Sequence, residues 1–110
     1  MLNQIVLVGR IANEVELKEL ESGKKVANIT IACPRPFKNE EGIYDTDFID
    51  CTLWEAVAQN TSEYCKKGDL IGIKGRVQTR NIMNEDGTKT KVQEIIAEKV
   101  TFLSSKKEEE

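Results

Sequence analysis

Histidine is absent from all 110 residues, which removes the side chain most used as a general base near neutral pH. Cysteine is scarce. Cys33, Cys51 and Cys65 are odd in number and far apart, so neither a disulfide framework nor a zinc site has its ligands. They read as small buried hydrophobes in a reducing cytoplasm. No glycine-rich phosphate loop or dinucleotide fingerprint occurs. No apolar run is long enough to span a bilayer, and Met-Leu-Asn-Gln-Ile-Val-Leu-Val-Gly-Arg opens the chain without a charged leader, so neither a signal peptide nor a membrane partner is expected. Nothing supports a catalytic nucleophile beside a base. The expectation is a non-enzymatic protein with no cofactor. Asp45 and Asp47 would share a strand face, either as a magnesium site or as ordinary decoration of a strand edge.

What is present suffices for one domain. A length of 110 residues with 39% hydrophobic content builds a single core, and the net charge is only −3. Glu14, Glu16, Glu19 and Glu21 form an acidic patch offset by Lys18 alone, so positive charge can dominate another face. An anionic partner is permitted but not implied.

The clearest pattern is Leu-Ile-Gly-Ile-Lys-Gly-Arg-Val-Gln-Thr-Arg at residues 70–80. Ile71, Ile73, Gly75, Val77 and Thr79 alternate with Gly72, Lys74, Arg76, Gln78 and Arg80, the period of a half-buried strand with three cations in one row. No acidic residue lies between Leu70 and Asn84 to neutralise the row from within. A first strand is expected over residues 4–12, apolar on both faces and so covered on both sides, with residues 14–20 continuing it after a bend. A turn at residues 21–24 leads to a second strand over 26–33, which Pro34 and Pro36 should end, opening a long polar loop. The third strand, residues 46–54, points Ile49, Cys51 and Leu53 inward and Phe48, Asp50, Thr52 and Trp54 outward. A helix is expected over residues 55–67, closed by Lys66-Lys67-Gly68. An Asn-Glu-Asp-Gly turn at residues 84–87 joins the fourth strand to a fifth over 89–103, and residues 104–110 read as a charged, disordered tail. Three strands, a helix and two strands make an all-β, five-stranded Greek-key barrel with one helix between strands 3 and 4, the OB-fold arrangement.

The chain has six aromatic side chains, and half of them, Phe37, Phe48 and Trp54, fall in the proline loop or on the outward face of the third strand. Lys74, Arg76 and Arg80 stand outward on the fourth. Rings stack on unpaired bases of any identity while guanidinium groups hold phosphates, so the combination suits a single-stranded polynucleotide. Each residue also has a structural reading. Trp54 could close the barrel, Phe48 could sit in a subunit contact, Phe37 could anchor its own loop, and Tyr64 reads as helix packing. Two rivals stay open: an OB module whose rings bind another protein, and one that binds structured RNA.

Met-Leu-Asn-Gln-Ile-Val-Leu-Val-Gly-Arg, Val26-Ala27-Asn28-Ile29-Thr30-Ile31-Ala32, Asp47-Phe48-Ile49 running to Trp54, Ser62-Glu63-Tyr64-Cys65-Lys66-Lys67-Gly68-Asp69-Leu70 and Lys74-Gly75-Arg76-Val77-Gln78-Thr79-Arg80 together resemble the bacterial single-stranded DNA-binding proteins. The resemblance covers nearly all of residues 1–103. It implies an OB-fold domain over that range, a homotetramer, and binding of single-stranded DNA with little sequence preference in replication, repair and recombination. The setting implied is the cytoplasm, with the nucleoid. The family's stacking rings fall on Phe37, Phe48 and Trp54, and its basic contacts on Arg76 and Arg80, with Lys74, Arg35 and Arg10 as further phosphate contacts in our reading. A further family ring falls on Ile82. The usual long tail with its acidic Pro-Phe ending is absent, as in a shortened piece or a short member of the kind some Gram-positive bacteria and phages carry. Replication and recombination proteins stay open as partners, but recruitment through that tail is not carried over.

Overall fold

The computed structural model describes residues 1–103, so the tail expected over 104–110 lies outside the described residues. In chain order the elements are β1 (Ile5–Ile11), β2 (Lys18–Glu19), β3 (Lys25–Lys38), β4 (Tyr44–Trp54), α1 (Glu55–Tyr64), β5 (Leu70–Met83) and β6 (Lys89–Phe102). The sheet runs β1-β5-β6-β4-β3-β2, and β1 also pairs with β3, which closes five long strands into a barrel. All pairings are antiparallel except β4 with β6. With α1 between β4 and β5, this is the OB-fold.

Alternation decides what fills the barrel. Ile11, Ala27, Ile29, Ile31, Cys51, Leu53, Ile71, Ile73 and Ala97 project inward, and Ala58 of α1 and Cys65 just beyond it plug one end. Burial pushes the Cys51 thiol up to about 12 and also raises Cys65, so neither is a reactive nucleophile at neutral pH. Two glycines allow the strands to approach closely. A Cβ on Gly9 would meet the Ala32 carbonyl where β1 passes from β5 to β3, and one on Gly75 would run into the Ile96 carbonyl beside a bulge.

Several expectations need correction. Pro34 and Pro36 do not end the second strand: β3 continues to Lys38, with Pro34 opposite Thr46 and Lys38 opposite Tyr44. Past Cys33 β3 has only β4 beside it, so a missing N–H leaves no second neighbour unpaired, and β3 carries four steps against two on β4 between Pro34 and Lys38. The long polar loop is therefore a tight hairpin. Asn39 Oδ1 accepts the Glu41 and Ile43 amides, and Gly42 takes φ 82°. The helix ends at Tyr64, three residues early, because Cys65 turns to extended backbone and Asp69 Oδ2 accepts the Lys66 amide at 2.9 Å in a separate turn. Residues 14–20 hold only the two-residue β2. Nor is β1 covered on both sides, since Val6 and Val8 are 64% and 53% exposed on its outer face.

The barrel has two long extensions. β4 and β6 pair only over Cys51–Leu53 with Ile95–Ala97, and beyond that the β3–β4 and β5–β6 hairpins separate as arms. The radius of gyration, 15.9 Å, accordingly exceeds the roughly 13 Å of a compact domain this size. The only helix among the described residues has ten residues, and no helix is long and apolar enough to cross a membrane.

Candidate nucleic-acid interface

The outer row of β4 reads Tyr44, Thr46, Phe48, Asp50, Thr52, Trp54, set by the period of two. Phe48 is 66% exposed and Tyr44 55%, whereas Trp54 is half-buried opposite Val26. Six residues of strand separate Phe48 from Trp54 by about 20 Å. Between them the surface is polar and fixed, because Thr30 Oγ1 donates to Asp50 at 2.7 Å and Thr52 Oγ1 donates to Asn28 at 3.2 Å across the β3–β4 ladder. At Trp54 the chain turns straight from strand to helix through Glu55 with φ 55°, a left-handed conformation that costs a non-glycine residue about 1–2 kcal/mol. That turn holds the tryptophan at the rim of the barrel.

Register brings the cations to this row from both sides. Thr52 of β4 pairs with Ile96 of β6, which pairs with Arg76 of β5, so Arg76 stands two strands, about 10 Å, from the row carrying Phe48 and Trp54. Arg80 lies opposite Val92, further out along the β5–β6 arm. On the other side Phe48 pairs with Ala32 and Ala32 with Arg10, a second line two strands wide. Arg10 Nη1 donates to the Gly68 carbonyl at 3.0 Å, which ties it to the turn before β5. Lys74 is exposed opposite Val6, with no ion pair among the described residues.

Other expected residues sit differently. Phe37 is 60% exposed on the β3–β4 arm, five residues along β3 from Ala32, the partner of Phe48, so the two rings share an arm rather than one rung. Arg35 is held by acids: Nε and Nη2 donate to Asp47 at 3.0 and 2.9 Å, and Asp45 lies 3.8 Å from Nη1. Both carboxylates thus have a guanidinium partner, which fits the reading of Asp45 and Asp47 as strand-edge decoration. The Arg35 hydrogen bond also holds the Asp47 carboxyl below the usual carboxylate range. Tyr64 is exposed and lies tilted against Phe102 at 6.0 Å rather than being packed in the core.

The structure adds residues that sequence reasoning missed. Tyr44 belongs to the outer row of β4, with Lys38 Nζ 5.8 Å from its ring centre, and continued alternation past Thr46 would have found it. Glu94 and Glu98 stand against the β5 arginines, with Arg80 Nε 2.9 Å from Glu94 and Arg76 Nε 3.1 Å from Glu98. The Arg80 hydrogen bond holds the Glu94 carboxyl below its ordinary range, although partial burial works the other way. Two of the three cations in the row unopposed on its own strand, Arg76 and Arg80, are matched from the next.

A family model described as the single-strand binding protein family matches residues 2–103. The chain belongs to that family. It is 43% identical over 109 residues to single-stranded DNA-binding protein B of Bacillus subtilis, covering 99% of this chain and 96% of that one. It is also 48% identical over 106 residues to single-stranded DNA-binding protein 3 of Listeria innocua, covering 96% of this chain. A Halalkalibacterium halodurans single-stranded DNA-binding protein is 47% identical over 103 residues. The chain spans 66% and 61% of the length of these last two relatives. Family membership and the barrel agree, since five strands closed into a barrel with one helix between β4 and β5 are the OB-fold.

Proposed function

We propose that this protein binds single-stranded DNA without sequence preference and protects it during replication, repair and recombination, in the cytoplasm on DNA of the nucleoid. It is a binding protein, not an enzyme. The observation that carries the reading is the exposed aromatic row of β4 with Arg76 two strands away and Arg80 beyond it. Bases stack on Phe48, Trp54 and Phe37, with Tyr44 added to the same row, at about 1–3 kcal/mol per base. Phosphates are held by Arg76, Arg80 and Lys74, with Arg10 on the far side and Arg35 once it leaves Asp47. Stacking is blind to base identity, and phosphate contacts carry no sequence information.

The same reading makes the protein a homotetramer. Val6 and Val8 leave an apolar strip on β1, and a second copy would cover it. Light scattering reports the assembly directly.

Trp54 is the chain's single tryptophan, so its fluorescence reports on the site. Titration with unstructured oligothymidine should quench it strongly at low salt and weakly at high salt. Absence of quenching, together with an unshifted band in a gel, would overturn the DNA reading. A folded hairpin should compete poorly against an unpaired strand of equal length.

A further inference from the structure

Five side chains on the β5–β6 arm form one continuous line of hydrogen bonds. Arg76 Nε donates to Glu98 at 3.1 Å and Arg76 Nη1 to Gln78 Oε1 at 2.6 Å. Gln78 Nε2 then donates to Glu94 Oε2 at 3.0 Å, and Arg80 Nε donates to Glu94 Oε1 at 2.9 Å. Both Glu94 carboxylate oxygens are engaged. Two guanidinium groups face two carboxylates, so of the three cations in the β5 row both arginines are neutralised across the hairpin and Lys74, opposite Lys99, is not. The four ionised side chains keep substantial exposure, from 20% at Glu94 to 56% at Arg80, so an anion can reach them.

A carboxylate oxygen 2.9–3.1 Å from an arginine Nε occupies the place a phosphate oxygen takes in a charge-assisted contact. We propose that Glu94 and Glu98 are built-in competitors for DNA phosphates at Arg80 and Arg76, so that a bound strand replaces two internal ion pairs with external ones. This rests on the reading of the β5 outer row as a phosphate track. It makes binding weaker, and less dependent on salt, than the count of cations implies. An arginine already neutralised by its neighbour brings little net charge to the DNA, and a displaced carboxylate stays close to the phosphates that displaced it. Each phosphate fully neutralised on a single strand contributes about 0.7 to the slope of log affinity against log salt, which is roughly fivefold between 1 M and 0.1 M. The glutamates withhold up to that amount at each arginine.

Glu94→Gln and Glu98→Gln keep the shape and an acceptor oxygen while removing the charge. A control, Glu21→Gln with Glu63→Gln, removes two charges from the β2–β3 turn and from α1, off the proposed track. Oligothymidine affinity is measured by Trp54 quenching, and by gel shift, across salt concentrations for wild type, each single variant, the Glu94→Gln/Glu98→Gln double variant and the control. The double variant should bind tighter at 0.1 M salt, by up to about 25-fold, with a slope steeper by up to about 1.4. The control should gain little, and the Glu94→Gln gain should vanish in an Arg80→Ala background. Unchanged or weaker binding by the double variant, with wild type binding intact, would mean that the glutamates position the arginines, and the proposal falls. An equal gain by the control reduces the effect to net charge and overturns it too. If wild type fails to bind oligothymidine at any salt, the phosphate-track reading itself fails and takes this proposal with it.

Discussion

The β3–β4 arm presents rings with little over them, while the β5–β6 arm presents arginines that are already paired. Phe37, Tyr44 and Phe48 are each more than half exposed, but Arg76 and Arg80 reach Glu98 and Glu94 within 3.1 Å. The one arginine of the β3–β4 arm follows the second pattern, since Arg35 is bound to Asp47. Apolar rings have nothing to gain from an acidic neighbour, whereas an exposed guanidinium takes any carboxylate that register brings near. The two arms should therefore contribute differently to binding. Rings supply affinity that is indifferent to salt; arginines supply a smaller, salt-dependent part that competition has trimmed.

The largest expected effect separates these contributions. Phe48→Ala combined with Trp54→Ala should lose about 1–3 kcal/mol per ring, with the salt slope nearly unchanged. Arg76→Ala should weaken binding to all sequences alike and lower the slope by at most about 0.7. Isothermal titration with oligothymidine at several salt concentrations reads both. A collapse of the slope in the ring variant would assign the salt dependence to the wrong arm, and an unchanged slope in Arg76→Ala would remove Arg76 from the track.

The next effect concerns how each arm is bent out of the barrel. β5–β6 bends at the bulge between Lys74 and Gly75, where an added methyl group has the Ile96 backbone in its way; β3–β4 bends at the extra residues between Pro34 and Lys38. Gly75→Ala should destabilise the fold by about 1–3 kcal/mol in urea melts, because backbone rather than a flexible side chain must move. Gly72→Ala meets nothing closer than Leu103 Cδ1 at 3.5 Å and should stay near wild type. Equal losses at both glycines would mean that strand propensity, not the close approach at the bulge, sets the cost.

Much of this was legible in the chain because period-two alternation is local. The inward set Ile49, Cys51, Leu53 and the outward set Phe48 and Trp54 follow from spacing alone, as does the hairpin at residues 84–87. What alternation does not carry is the neighbour. Glu94 lies fourteen residues from Arg80, and only the β5–β6 register makes them partners. The prolines misled for a related reason: they exclude a strand flanked on both sides, and sequence does not reveal that β3 beyond Cys33 has a single neighbour. The helix was overextended because Lys66-Lys67-Gly68 reads as a helix end, although Asp69 organises those residues into their own turn.

The smallest expected effect asks whether the β3–β4 arm holds a cation in reserve. Asp47 is half-exposed, and its carboxyl lies below the usual range because Arg35 donates two hydrogen bonds to it. A depressed folded-state value means that the pair's contribution to stability is present above the unfolded carboxylate pKa and is lost as pH falls through the folded value. Solvent around both half-exposed side chains keeps that contribution small. The melting-temperature difference between wild type and Asp47→Asn should therefore be slight and constant from pH 7 to pH 5, narrowing only below about pH 4. DNA binding should respond more than stability does, because Asp47→Asn releases Arg35 to phosphate and steepens the salt slope by up to about 0.7. If Asp47→Asn leaves the slope as it was, Arg35 serves only to brace its hairpin, and the division between a ring-bearing arm and a cation-bearing arm becomes complete.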